Sequence, residues 1–184
     1  MFFFTSSNSS FTECVRTYPS SSLLSFSQNS DCTTTPYENC TFEGTHRILT
    51  VSSAFKNCNF TNMHCTNNKG GAICCSQSAI SFIINSCIFE SCSSIDRGGA
   101  VYVSGTSNTL IVTQSLFHSC ITTNETEDDY PGGGGICMSG SSSSLLIYTS
   151  TFLYCKADVY PRGGGAFFAS QIQHTHTFSS IFIS

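Results

Sequence analysis

The sequence predicts an all-β chain, a parallel β-helix of about four to five turns. Three observations carry this. A 23-residue unit occurs as GGAICCSQSAISFIINSCIFESC at Gly70–Cys92, GGAVYVSGTSNTLIVTQSLFHSC at Gly98–Cys120 and GGGICMSGSSSSLLIYTSTFLYC at Gly133–Cys155. Its internal spacing is fixed: Ala72 to Phe89, Ala100 to Phe117 and Gly135 to Phe152 each span 17 positions. Each copy also breaks into short apolar pieces, rich in β-branched and aromatic residues and separated by Ser, Gly and Asn. A constant period repeated along a chain marks stacked units that bury their apolar faces on their neighbours.

Taken in order, residues 1–36 form a Ser/Thr-rich segment with weak periodicity, read as irregular. The repeat region is read as 37–184. It opens with a degraded unit, YENCTFEG, RILTVSSAF and NCNFTNM, in which Phe60 and Met63 stand where later copies place Phe and Cys and the Gly pair is missing. The next three copies each predict three strands. In the second these are Ala100–Val103, Thr109–Thr113 and Ser115–Phe117. The fourth copy starts at Gly164, spans 16 positions from Ala166 to Phe182, and stops one residue before its Cys position. A Ser column (Ser76, Ser104, Ser139, Ser170) is what in-register stacking produces.

The repeat assigns roles to its marked residues. The pairs Gly70–Gly71, Gly98–Gly99, Gly133–Gly134 and Gly164–Gly165 are corners that need positive φ or close approach to the next turn. Phe89, Phe117, Phe152 and Phe182 form one internal column. Cys92, Cys120 and Cys155 form another. Apart from the one-residue shortening of the fourth copy, length varies between the Phe and the next Gly pair: 10, 9, 16 and 12 positions. The longest loop, residues 121–132, carries Glu125, Glu127, Asp128 and Asp129.

Composition excludes several classes. The 184 residues carry seven Lys and Arg, a net charge of −4 and only 10% charged residues. The cations are dispersed, so nucleic acid is not an expected partner. No stretch reaches the ~18 apolar residues of a membrane-spanning helix. The start, MFFFTSSNSS, lacks the basic and long apolar regions of a secretion signal, whereas sequons at Asn8, Asn39, Asn59 and Asn124 fit an extracellular protein. The twelve cysteines are read mainly as buried free thiols within the repeats, with disulfides expected among Cys14, Cys32 and Cys40. Cys58 and Cys87 share a register, while Cys74 and Cys137 are separated by the copy carrying Tyr102. No Cys/His set has zinc spacing, and His174 and His176 are read as surface residues, so no metal and no cofactor are expected.

The Gly-Gly-Ala-Ile motif (Gly70–Ile73, Gly98–Val101, Gly133–Ile136, Gly164–Phe167), paired with a Phe-x-x-Cys end, resembles the Gly-Gly-Ala-Ile and Phe-x-x-Asn repeats of chlamydial polymorphic outer-membrane proteins. Similar repeats occur in surface proteins of parasitic protists, which the Cys-rich form here matches as well. The resemblance runs from Tyr37 to the end. It implies a right-handed, pectin-lyase-like solenoid and an adhesin-like, surface-exposed module. Met63, Cys92, Cys120 and Cys155 replace the family's Asn, so an amide ladder gives way to groups expected to pack as small apolar side chains.

The functional expectation is a non-catalytic module at the cell surface or outside the cell, contacting a protein or glycan through its variable loops. Two alternatives stand beside it. One is a degenerate β-helix that binds or cleaves polysaccharide; against it, Glu90 is the only acid inside a full repeat core, and paired carboxylates are missing there. The other is a fragment of a longer repeat protein.

Overall fold

The structure, a computed structural model, describes residues 36–45, 47–65, 69–123, 132–158 and 165–183. Segment 1–35, Gly164, Arg162 and the acids at 125–129 lie outside the described residues. Among the described residues the chain is all β. The leading part holds β1 (Tyr37–Glu38), β2 (Thr41–Thr45), β3 (Arg47–Ile48), β4 (Ser53–Lys56) and β5 (Asn59–Cys65). The first full copy adds β6 (Ile73–Cys75), β7 (Ser81–Asn85), β8 (Ile88–Glu90) and β9 (Ser93–Ser94). The second adds β10 (Val101–Ser104), β11 (Thr109–Thr113), β12 (Leu116–His118) and β13 (Ile121–Thr123). The third adds β14 (Ile136–Ser139), β15 (Ser144–Tyr148), β16 (Thr151–Leu153) and β17 (Lys156–Asp158). The last holds β18 (Phe167–Ser170), β19 (His174–Phe178) and β20 (Ile181–Ile183).

Each of the first three full copies thus has four strands where the sequence suggested three, and the described part of the last holds three. The additional one follows the Cys and continues the Phe-bearing strand after a bend at Ser91, Ser119 or Tyr154, residues with φ of 53°, 52° and 54°. Every pairing among these strands is parallel. Three sheets result, each ordered by copy number. Sheet 1 runs β3-β6-β10-β14-β18, and sheet 2 runs β1-β4-β7-β11-β15-β19. Sheet 3 runs β2-β5-β8-β12-β16-β20 and extends from β5 through β9, β13 and β17.

The three sheets share one core, because alternation along their strands sends one set of apolar residues, such as Val101 and Val103, Leu110 and Val112, and Phe117, to the same side. Phe42, Phe60, Phe89, Phe117 and Phe152 stack in register. The central ring centroids lie 4.5, 4.6 and 4.6 Å apart and are within 5° of parallel. The Phe column expected from the sequence is therefore present, and stacked rings add about 0.5–1.5 kcal/mol per pair beyond their burial. Phe182 continues it 5.2 Å from Phe152 but is 44% exposed. At the other end Arg47 closes the column, its guanidinium 4.3 Å from the Phe42 ring and 5.0 Å from Tyr37. Burial lowers the pKa of this guanidinium, and Tyr37 acts in the opposite sense. Such cation–π contacts contribute more once desolvated.

The glycine corners follow two different rules. Gly98 has φ of +64°, in the left-handed region. Gly99 does not; there a Cβ would collide with the Gly134 carbonyl oxygen of the next copy. Other corners use no glycine at all. Asn39, Asn57, Ser86, Gln114, Thr149 and Ser179 all hold φ between 47° and 53°, each three residues before the Phe of its copy. The sequence reading placed corners at the Gly pairs alone.

Candidate interaction surface

The described strands that flank the variable segments line up at one edge. Strands β9, β13 and β17, which precede them, pair in register, and so do β6, β10, β14 and β18, which follow them. The loop ends are pinned by buried hydroxyls. Ser94 and Thr122 are Cα partners; Ser94 Oγ donates to the Arg97 carbonyl at 3.1 Å and Thr122 Oγ1 to the Gly133 carbonyl at 3.0 Å. At this edge Asp96 meets Lys69 Nζ at 3.7 Å and Arg97 Nε at 3.3 Å, all three side chains being no more than 24% exposed. Lys69 Nζ also sits 5.3 Å from the centre of the Tyr102 ring. This cluster covers the outward row Cys74, Tyr102 and Cys137 of sheet 1, which is buried although it faces away from the core.

A second feature lies at the corner between sheets 2 and 3. It is a groove of about 390 Å³ running along the stacking direction. One wall is the corner row Ser86, Gln114 and Thr149; the other is the strand row Ile88, Leu116 and Thr151, with Cys87 and Ser115 between them. Each copy contributes one polar corner residue and one strand residue, and no lining residue is charged. Backbone N–H groups at the floor donate to hydroxyls of the following copy: Cys87 to Ser115 Oγ at 3.1 Å, Ser115 to Ser150 Oγ at 3.2 Å, and Ser150 to Ser180 Oγ at 3.3 Å.

The cysteines divide as expected, with one exception and one correction. Cys58, Cys65, Cys75, Cys87, Cys92, Cys120, Cys137 and Cys155 are buried and not disulfide-bonded. Cys40 is disulfide-bonded, and so is Cys74, which the sequence reading counted among the free repeat thiols; Cys14 and Cys32 lie outside the described residues. The correction concerns Cys92, Cys120 and Cys155. They do not pack as purely apolar groups: each Sγ lies 3.5 Å from the carbonyl oxygen of the Phe in the preceding copy, positioned to donate to it. The column therefore keeps a weak version of the bond along the stack that an Asn would make. Burial pushes the Cys120 thiol well up, and pushes Cys75 up to about 11 and Cys137 up to about 12.

Other candidates stay apart from one another. His174 and His176 are exposed, with ring centroids 6.2 Å apart. Glu90 meets His118 Nδ1 at 3.6 Å across adjacent copies, with both side chains at least 35% exposed. Among the described residues no group of three or more His, Cys, Asp or Glu is placed to hold a metal ion. Sequence reasoning missed Asn108, which is 1% exposed and bridges two copies. Its Nδ2 donates to the carbonyls of Gln77 at 2.7 Å and Ser104 at 2.9 Å, and its Oδ1 accepts from Ile80 N–H at 2.9 Å. The signal was an Asn directly before a strand, in a column otherwise filled by Ile80, Ser143 and Gln173.

No family model matches the chain, and neither a curated protein nor a solved structure matches it. No helix among the described residues is long and apolar enough to cross a membrane.

Proposed function

We propose that the three sheets close into a right-handed parallel β-helix, and that the chain is a non-catalytic, adhesin-like module acting at a cell surface or outside the cell. Its partner is a protein or glycan, met by the variable loops. One observation carries this reading: the strands that flank the variable segments pair in register, so the length of those segments changes while the sheets keep their register. Such a division suits recognition, where the scaffold is constant and the contact surface is free to vary. The resemblance of the GGA[I/V] units to polymorphic surface-protein repeats supports it.

For the polysaccharide-cleaving alternative, the acid inside the full repeat core, Glu90, meets the half-buried His118 at 3.6 Å rather than a second carboxyl. Cleavage of a glycosidic bond uses a pair of carboxyls flanking that bond, and Glu90 is paired with a histidine instead. The chain is to be screened on an array of glycans and purified matrix proteins, with reducing-sugar release followed in parallel. Binding without saccharide release supports the proposal. Release of reducing ends above a heat-denatured control would overturn it.

A further inference from the structure

The corner groove and one of the sequons share a single row of the structure. Asn59 is the Cα partner of Ile88, Ile88 of Leu116, and Leu116 of Thr151. Within the sequon Asn59-Phe60-Thr61, strand alternation sends Phe60 into the core, at 0% exposure, and leaves Asn59 exposed, with Thr61 beside it on the outer face. The side chains of Asn59, Ile88 and Leu116 therefore follow one another along the same outward face. Ile88 is 39% exposed, and with Leu116 it forms an aliphatic strip beside the polar corner row Ser86, Gln114 and Thr149 of the groove. Asn39, the other described sequon asparagine, is less suited: its Oδ1 accepts a 3.3 Å bond from Asn57 Nδ2, and its sequon contains the disulfide-bonded Cys40.

We propose that Asn59 is an N-glycosylation site whose oligosaccharide lies back along the groove and covers Ile88 and Leu116. In the attachment step, Asn59 Nδ2 forms a bond to the anomeric carbon of a lipid-diphosphate-linked oligosaccharide. The bond from that carbon to the phosphate oxygen breaks, the lipid diphosphate leaves with its electron pair, and the amide proton passes to solvent. Neighbouring strands are about 4.8 Å apart, so the sugars nearest Asn59 reach the Ile88 and Leu116 positions. The weakly polar faces of pyranose rings cover the aliphatic side chains, and their hydroxyls meet Ser86 and Gln114. Glycosylation adds bulk and polarity to a surface, and here it would shield the exposed Ile88.

This proposal rests on the reading of the chain as a surface or secreted module, but its test is independent of loop binding. The full chain is expressed behind a secretion leader in eukaryotic cells, and the Asn59 peptide is analysed by mass spectrometry before and after enzymatic glycan release. An oligosaccharide on Asn59 is expected. An unmodified Asn59 overturns the site, whatever the other sequons carry, and leaves loop-mediated binding untouched. Placement of the glycan is read from thermal unfolding. Asn59→Gln should lower Tm by about 2–4 °C in the otherwise native chain. In the Ile88→Thr/Leu116→Thr background the same substitution should shift Tm by less than about 1 °C. Equal shifts in both backgrounds would overturn the groove placement. Because Ile88 and Leu116 point outward, both backgrounds should give the same far-UV circular dichroism.

Discussion

Truncating Phe117 to Ala removes the middle ring of the aromatic column. The ring is fully buried, 4.6 Å from Phe89 on one side and 4.6 Å from Phe152 on the other. A buried Phe→Ala change costs about 3–5 kcal/mol, and the loss of two stacked neighbours places this one near the top of that range. Phe182 occupies the equivalent position in the last copy, yet it is 44% exposed. Its truncation should cost about 1–2 kcal/mol, in proportion to the smaller apolar area it removes from water. With a urea m-value of about 2 kcal/mol/M, the unfolding midpoint should fall by about 2.5 M for Phe117→Ala and by about 0.5–1 M for Phe182→Ala. The assay is equilibrium urea unfolding followed by far-UV circular dichroism, with m compared between variants. Equal midpoint shifts would refute the stacked-column reasoning.

Further outcomes follow from the corners and the buried polar groups. Gly99→Val, alone or with Gly98→Val, should prevent folding or cause aggregation, because a Cβ at Gly99 meets the Gly134 carbonyl; soluble chain with native circular dichroism would contradict this. Tyr154 holds φ of 54° while 60% exposed, so Tyr154→Asn should stabilise the fold by about 0.5–1 kcal/mol in the same urea assay. Asn108→Ala should cost about 2–4 kcal/mol, since the groups it bonds in two copies lose their partner. The buried thiols give a pH dependence of definite sign. The folded-state pKa values of Cys75 and Cys137 are raised to about 11 and about 12, so the unfolded chain, titrating near 8.5, gives up its protons first. The stability from these groups is complete below about pH 8.5 and is lost as pH rises through about 11–12, and a Cys75→Ala/Cys137→Ala variant should show a shallower decline between pH 8 and 10.5.

The repeat core was legible because its signals are strong and periodic. Thr109–Thr113 is a strand at the predicted bounds, and the Phe column pairs as its spacing required. Ser93–Ser94 was not legible as a strand, since two serines carry no apolar alternation; only the register of Ile121 and Thr122 in the next copy reveals it. The left-handed corners at Ser86, Gln114, Thr149 and Tyr154 were invisible for a related reason. Local sequence marks such positions by Gly or Asn, and here stacking holds residues without that preference. Asn108 looked like an ordinary loop residue because its partners lie one copy away. The Cys74 disulfide could not be read from register, which relates Cys74 to Ile48 and Tyr102 alone. The edge that carries the candidate interaction surface was legible as length variation. Its charged cluster of Lys69, Asp96 and Arg97 needed the fold to bring two loops together.

The most direct test of scaffold against loop is to replace residues 124–131 with a Gly/Ser stretch of equal length and measure binding to the array of glycans and matrix proteins beside the unaltered chain. Binding should fall at least about tenfold while the urea midpoint and the protection of the buried thiols stay unchanged, because the strands on either side keep their register. Unchanged binding by the loop-replaced chain, to a partner that the native chain holds, would contradict recognition through the variable edge.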